Sequence, residues 1–189
     1  MELRVYKSEF PKERIGKNND GGYVICNIPN IKYDVLISGG ISNDTTFEDQ
    51  FLNKFSDIDC YAYDGTILES PSTNPKFHWI KKNIGFYEKS NETNLHNLIN
   101  SNKSIFIKMD IEGGEIPVLN QIVDEEIKFD YLAVEFDFLS LIPFFSLKKR
   151  LRHMRIVWRI MADLEAMGYV LCKTENYNFC WFLNQVNGN

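Results

Sequence analysis

Short apolar runs alternate with amphipathic stretches along most of the chain. Tyr33-Asp34-Val35-Leu36-Ile37-Ser38 has the character of a buried strand, and Gly39-Gly40 stops it. Phe47, Phe51, Leu52 and Phe55 then recur at helical spacing over 46–55, with Asp44 or Thr45 placed to cap the helix. Cys60-Tyr61-Ala62-Tyr63 predicts a second strand, ended by Asp64-Gly65, and 77–84 a third around Trp79. Leu95, Leu98 and Ile99 predict a short helix over 94–100. Ser104-Ile105-Phe106-Ile107-Lys108-Met109-Asp110 is the clearest strand. It runs into Glu112-Gly113-Gly114-Glu115 and a helix over 116–123, with Pro117 in its first turn. Residues 131–138 predict another strand. A long amphipathic helix over 147–167 is closed by Gly168. Residues 169–173 and 179–183 read as an antiparallel hairpin.

This alternation predicts an α/β fold. Its mostly parallel sheet of seven strands has helices on both faces and a C-terminal antiparallel hairpin at one edge. In such sheets ligands bind at the carboxyl ends of the strands, where the strand order switches. Three of those ends carry informative residues. Ser38-Gly39-Gly40 lets the chain turn tightly and leaves room for a cofactor against the backbone. Asp64 follows Gly39 by 25 positions and is suited to accept hydrogen bonds from the two hydroxyls of a ribose. Lys108-Met109-Asp110-Ile111-Glu112-Gly113-Gly114-Glu115 gathers three carboxylates around a Gly-Gly turn. The next strand ends in Glu135-Phe136-Asp137, whose two acids share one face because side chains alternate. Asp110, Glu135 and Asp137 are therefore candidate ligands for Mg²⁺ or Mn²⁺, which prefer several hard oxygens. The alternative for these acids is to pin backbone N–H groups or hold a cofactor's ammonium.

Glycine turn and acid together point to a nucleoside cofactor. They form no G-x-G-x-x-G, and no helix follows closely enough to cap a pyrophosphate, which disfavours a nicotinamide dinucleotide. S-adenosylmethionine carries no phosphate and needs no such cradle.

Length and composition narrow the class further. The 189 residues suit one domain with a full core, 1–189, without an internal linker or repeat. A formal net charge of −5 argues against a general nucleic-acid binder. The basic stretch Lys148-Lys149-Arg150-Leu151-Arg152-His153 is the local exception, a solvated helix face or a contact for an anionic substrate or membrane surface. No apolar run reaches the ~20 residues of a membrane span. The longest, 136–145, is interrupted by Asp137, Ser140 and Pro143. Met1-Glu2-Leu3-Arg4 opens no apolar export signal. Cys26, Cys60, Cys172 and Cys180 have no metal or redox spacing and are mostly set in apolar runs. Four buried thiols and a reducing, cytoplasmic location are expected.

Three stretches carry a family resemblance. Arg14-Ile15-Gly16-Lys17-Asn18-Asn19-Asp20-Gly21-Gly22-Tyr23 resembles an R-x-G-x-x-x-D-G-G-Y lead-in. Ser38-Gly39-Gly40-Ile41-Ser42-Asn43-Asp44 with Phe47-Glu48 resembles a cofactor loop. Residues 108–115 resemble the K-(I/M)-D-(I/V)-E-G-x-E signature. All three are similar to the FkbM-type branch of class I S-adenosylmethionine-dependent methyltransferases, which have a Rossmann-like fold. Asp137 stands where that branch often carries His.

The resemblance implies methyl transfer to oxygen, often on a sugar or glycan, with residues 1–32 as a lead-in or lid segment. Cofactor binding is expected from Asp20, Ser38, Gly39, Gly40, Glu48, Asp64, Gly65 and Asp110. Because an aliphatic hydroxyl is a poor nucleophile, a base or a cation is needed. Asp110, Glu112 and His153 are the catalytic candidates, with Mg²⁺ or Mn²⁺ on Asp110, Glu135 and Asp137. The chain is short and has no large insertion to cap a substrate. An open cleft for a large glycan, or action beside partner enzymes of glycan synthesis, is expected. A metal-independent methyltransferase acting on a small molecule, a nicotinamide-dependent oxidoreductase and a non-catalytic nucleoside-binding module are the competing readings.

Overall fold

In the computed structural model, Lys12–Ile15 (β1) and Tyr23–Cys26 (β2) form an antiparallel hairpin. Val35–Gly39 (β3), helix Thr46–Lys54 (α1), Asp59–Tyr63 (β4) and Phe77–Ile80 (β5) follow. Two short strands, Asn83–Ile84 (β6) and Glu92–Thr93 (β7), pair with each other. The one-turn helix Leu95–Leu98 (α2) leads to Ile105–Met109 (β8), helix Glu115–Asp124 (α3) and Tyr131–Glu135 (β9). Helix Leu147–Ala166 (α4) and the strands Tyr169–Glu175 (β10) and Asn178–Leu183 (β11) are the last described elements. The structure describes residues 8, 10–18, 21–99, 103–136, 147–175 and 178–183; it does not describe the side chains of 147–150, 153, 173–175 and 178.

The main sheet is mixed, with seven strands in the order β10-β11-β9-β8-β3-β4-β5. From β9 to β5 neighbours are parallel; β11 runs antiparallel to β9, and β10 to β11. All five residues of β3 and of β8 are buried, which matches their apolar sequence, interrupted by Ser38 and Lys108. From β3 the chain moves outward through β4 to β5, then returns to place β8 on the other side of β3. The switch point therefore lies between β3 and β8.

Each face of the sheet has its own core. On one, α3 contributes Val118, Leu119 and Ile122, and α4 contributes Val157, Ile160 and Leu164. On the other, α1 contributes Phe47, Phe51 and Leu52, and the β1–β2 hairpin Ile15, Tyr23, Ile25 and Cys26. Phe51 and Phe106 meet edge to face at 4.6 Å, while Phe106 and Tyr131 stack at 4.6 Å.

Residues 77–84, expected as one strand, divide at Lys81-Lys82 into β5 and the separate β6. The hairpin over 12–26, read only as a lead-in, is strand structure packed on the sheet. Its tip leans on the start of α1. Lys17 pairs with Asp44 at 2.8 Å, and the Gly16 N–H donates to Gln50 Oε1 at 2.9 Å. Among the described residues no helix is long and apolar enough to cross a membrane.

The expectation of four free thiols is overturned. Cys26 on β2 and Cys172 on β10 form a disulfide with Cα atoms 6.1 Å apart, while Cys60 and Cys180 are buried free thiols. The chain positions 146 apart meet because the hairpin folds across the far side of the sheet. There the Cys26 N–H donates to the Tyr131 hydroxyl at 2.7 Å. Sequence spacing carries no trace of such a contact. The bridge also removes the observation on which the reducing, cytoplasmic setting rested. Intact mass of unreduced protein should show the loss of two hydrogens, and a non-reduced digest should contain a Cys26–Cys172 peptide. Reduction should lower stability by roughly 2–4 kcal/mol. A mass corresponding to four free thiols would contradict the bridge.

Candidate active site

The carboxyl ends of β3, β4 and β8 lie side by side, with Gly39 in register with both Tyr63 and Met109. The turn after β3 passes close to the one after β8. The Asp110 N–H donates to Gly39 O at 3.0 Å and the Gly40 N–H to Tyr63 O at 2.9 Å. Gly40 has φ +70°, and a Cβ there would meet the Asp110 carbonyl oxygen at 1.5 Å. Glycine is thus required by both conformation and space.

This approach opens a cleft of 310 Å³ lined by Gly40, Ser42, Tyr63, Asp64, Thr66, Asn83, Ile84, Asp110, Ile111 and Glu112. Asp64 enters from the end of β4 and is 4% exposed. Its Oδ2 accepts from the Ser42 N–H at 2.8 Å, and its Oδ1 accepts from the Thr66 N–H at 2.7 Å and hydroxyl at 2.5 Å. Burial alone would raise the Asp64 pKa, but the Thr66 and Ser42 donors outweigh it and hold the carboxyl below its ordinary value. Asp64 is therefore an oriented anion at neutral pH. Its contribution to stability is present above the unfolded-state value and is lost as pH falls through the lowered one. Asn83 Oδ1 accepts from the Gly65 N–H at 2.8 Å, which fixes the turn after Asp64.

A buried polar network lies under the cleft. Lys108, 4% exposed, donates through Nζ to Gly40 O at 2.8 Å. The same ammonium lies 3.9 Å from Glu48 and 4.0 Å from Asp110. Ser38 Oγ donates to Glu48 Oε1 at 2.5 Å. Burial raises the Glu48 pKa, with the Lys108 charge and the Ser38 hydrogen bond acting against it. Alternation puts Ser38, Lys108 and Asp110 on the face occupied by α1 and the hairpin. Glu135, one step past the register pair Met109–Val134, continues that face beside Asp110. The Tyr23 hydroxyl from β2 is buried without a hydrogen-bond partner among the described residues. Burial raises its pKa first, and the nearby charges of Asp110, Glu135 and Glu48 raise it further.

The expected site residues divide accordingly. Gly40, Asp64, Asp110 and Glu112 line one cleft. Gly39 and Gly65 shape its turns, whereas Ser38 and Glu48 are buried beneath it. Glu112 has φ +52° and is exposed at the rim. Glu115 accepts from the N–H groups of Ile111 and Gly113 at 3.1 and 3.2 Å, the pinning role weighed for these acids. Among the described residues no group of three His, Cys, Asp or Glu is placed to hold a metal ion, and Asp137 lies outside them. Asp20 also lies outside, as does the side chain of His153 on α4.

Sequence reading missed Ser42, Thr66, Asn83 and the structural use of Lys108. A lysine inside the apolar run 105–109 was the available signal; Thr66 and Asn83 offered none. A larger groove of 960 Å³ lies beyond Asn83 and Ile84, between the β6–β7 segment and helices α3 and α4. None of Asp64, Asp110, Glu112 and Glu135 lines it, whereas Asp64, Asp110 and Glu112 line the smaller cleft.

A solved structure of human N-acetylserotonin methyltransferase in complex with SAM is similar to this chain at 7% identity and a TM-score of 0.41. The match covers 79% of this chain and 46% of that one, so the chain spans less than half the length of this relative. Comparison with curated proteins returns no match. The family model described as the methyltransferase FkbM domain matches residues 8–170, and the chain belongs to that family.

Proposed function

We propose that the protein is an S-adenosylmethionine-dependent O-methyltransferase acting on a hydroxyl of a sugar or glycan. The reading treats 1–189 as a single Rossmann-like class I methyltransferase domain, with 1–32 as its lead-in. One observation carries it: Asp64 and Asp110, from two strand ends, meet Gly40 and Ser42 in one cleft at the switch point of the sheet. The donor set suits the cofactor. Asp64 Oδ1 already accepts two hydrogen bonds from Thr66, so Oδ2, which accepts from the Ser42 N–H, is the oxygen to meet a ribose hydroxyl. Ile84 and Ile111 offer apolar surface for a purine.

Bound S-adenosylmethionine supplies an electrophilic methyl group. The chain's own task is to orient the acceptor hydroxyl and take its proton. Asp110 is the proposed base, with Glu112 at the rim as a further contact for the acceptor. Lys108 already brings a positive charge within 4.0 Å of Asp110. That charge would repel Mg²⁺ or Mn²⁺ from Asp110 and Glu135, two of the three carboxylates expected to hold it. Proton removal by a carboxylate is therefore the preferred route over metal assistance.

Thermal-shift and calorimetric titrations with S-adenosylhomocysteine, S-adenosylmethionine and NADH test the cofactor. The first two should stabilise the protein and NADH should not. Asp64→Ala should weaken S-adenosylhomocysteine binding by roughly 1–3 kcal/mol, the cost of losing a partner to buried polar groups. Unchanged affinity in a folded variant would remove Asp64 from the site. Radiolabelled methyl transfer to a panel of defined oligosaccharides, with and without EDTA, tests the chemistry. Cofactor binding without transfer to any hydroxyl would favour the non-catalytic module. Loss with EDTA and recovery with Mg²⁺ would restore the metal-assisted route.

A further inference from the structure

Charge is unevenly distributed along this acidic chain. Residues 147–162, most of α4, contain six of the 21 Lys and Arg and none of the 26 Asp and Glu, which leaves 15 bases against 26 acids elsewhere. The cations are Lys148, Lys149, Arg150, Arg152, Arg155 and Arg159.

Apolar residues are interleaved with them. The C-terminal half of α4 is held by Val157, Ile160 and Leu164, spaced by three and four residues and buried against the sheet. Met154 stands one turn before Val157 and Leu151 one turn before Met154. They are 41% and 47% exposed, so the apolar stripe of the helix runs out of the core and into solvent. Arg152 and Arg155 beside them are exposed. Leu151, Arg152, Arg155 and Ile156 line a surface depression with Arg159.

Two uncovered apolar side chains set among cations, with no acid nearby in sequence, match the chemistry of a lipid headgroup boundary. Anionic headgroups meet the cations while the apolar tips enter the acyl margin. A soluble polyanion would use the arginines and leave Leu151 and Met154 in water. We propose that the N-terminal half of α4 docks the protein on an anionic lipid surface, as a peripheral contact and not a span. This inference does not depend on the methyl-transfer reading, and none of Leu151, Arg152, Met154 and Arg155 lines the cofactor cleft.

Flotation with vesicles of phosphatidylcholine, with and without phosphatidylglycerol, tests it on the full chain. Binding should require phosphatidylglycerol and fall as salt is raised. Arg152→Glu/Arg155→Glu and Leu151→Glu/Met154→Glu should each reduce the bound fraction by about tenfold or more. Melting temperature and S-adenosylhomocysteine affinity should stay as in the wild type. If the apolar double variant does not fold, Leu151→Ser/Met154→Ser takes its place, and the lipid and salt dependence of the wild type stands by itself. Absence of vesicle binding would overturn the proposal. So would binding to soluble polyglutamate that the Leu151/Met154 variants leave unchanged, which would identify an acidic polymer as the partner. Concentration-dependent dimers that the same substitutions abolish, without vesicle binding, would identify a second copy of the chain.

Discussion

Replacing Lys108 by Met should destabilise the fold by about 3–5 kcal/mol, the range for breaking a buried ion pair from one side. Glu48 is 1% exposed, and Lys108 is the cation that lies near it, at 3.9 Å. The same substitution removes the hydrogen bond from Nζ to Gly40 O, which ties β8 to the turn after β3. Glu48→Gln in the same chain should recover a large part of the loss, because no buried charge then remains uncompensated. The deficit should also depend on pH. The fold raises the Glu48 pKa from its ordinary 4.5, so this group's contribution is full below that value and is lost as pH rises through the folded one. Removing Lys108 raises the folded pKa further, so the deficit should be widest at neutral pH and narrow on acidification. Urea denaturation of the single and double variants at several pH values measures this. Strictly additive effects with no pH trend would show that Lys108 and Glu48 do not act as a pair.

Asp110→Asn should reduce turnover by 10²-fold or more (roughly 3 kcal/mol of barrier), while S-adenosylhomocysteine affinity is kept. The substitution preserves shape and removes the ability to take a proton. Asp110 is half-buried at the cleft, beside the Gly39–Gly40 turn that its backbone N–H helps to hold. That backbone bond survives the substitution, so the turn should keep its form. The split between kcat and KM decides the role. A fall in kcat with KM nearly constant supports the base. Equal loss of cofactor binding and turnover would instead make Asp110 a cofactor anchor, and Glu112 or His153 would be examined as the base.

Strands β3 and β8 were legible because burial on both faces leaves a mainly apolar run, with Ser38 and Lys108 as its polar members and a glycine or carboxylate marking where the run meets the cleft. Helix α4 and the β10–β11 hairpin were legible for a related reason: helical periodicity ends at Gly168 and short apolar runs resume at once. The β1–β2 hairpin was not. Its first strand, Lys12–Ile15, is mostly charged, its second, Tyr23–Cys26, is an apolar run of only four residues, and the pair is tied down by contacts far away in sequence, such as Cys26 with Tyr131. The candidate site shows the same division. Asp64 and Asp110 announce themselves as acids at the ends of apolar runs. Thr66 and Asn83 matter only because the fold sets them against Asp64 and Gly65, and sequence order does not contain that neighbourhood. Glu48 is a further case. Its place in the cofactor-loop resemblance suggested a ligand contact, whereas the α1 periodicity that buries Phe47, Phe51 and Leu52 also buries Glu48 beneath the turn.

The Cys26–Cys172 bridge turns the chain between those residues into a covalent ring, with β3, β4, β8, β9 and helices α1 to α4 inside it. A single protease cut in any exposed loop of that ring would leave the two pieces joined. The nicked protein should keep its mass, apart from one added water, until a reductant is supplied. Ring closure also needs β2 and β10 to have come together, near the two ends of the fold. During oxidative refolding, the appearance of this disulfide should therefore report that the β1–β2 hairpin has docked against β10.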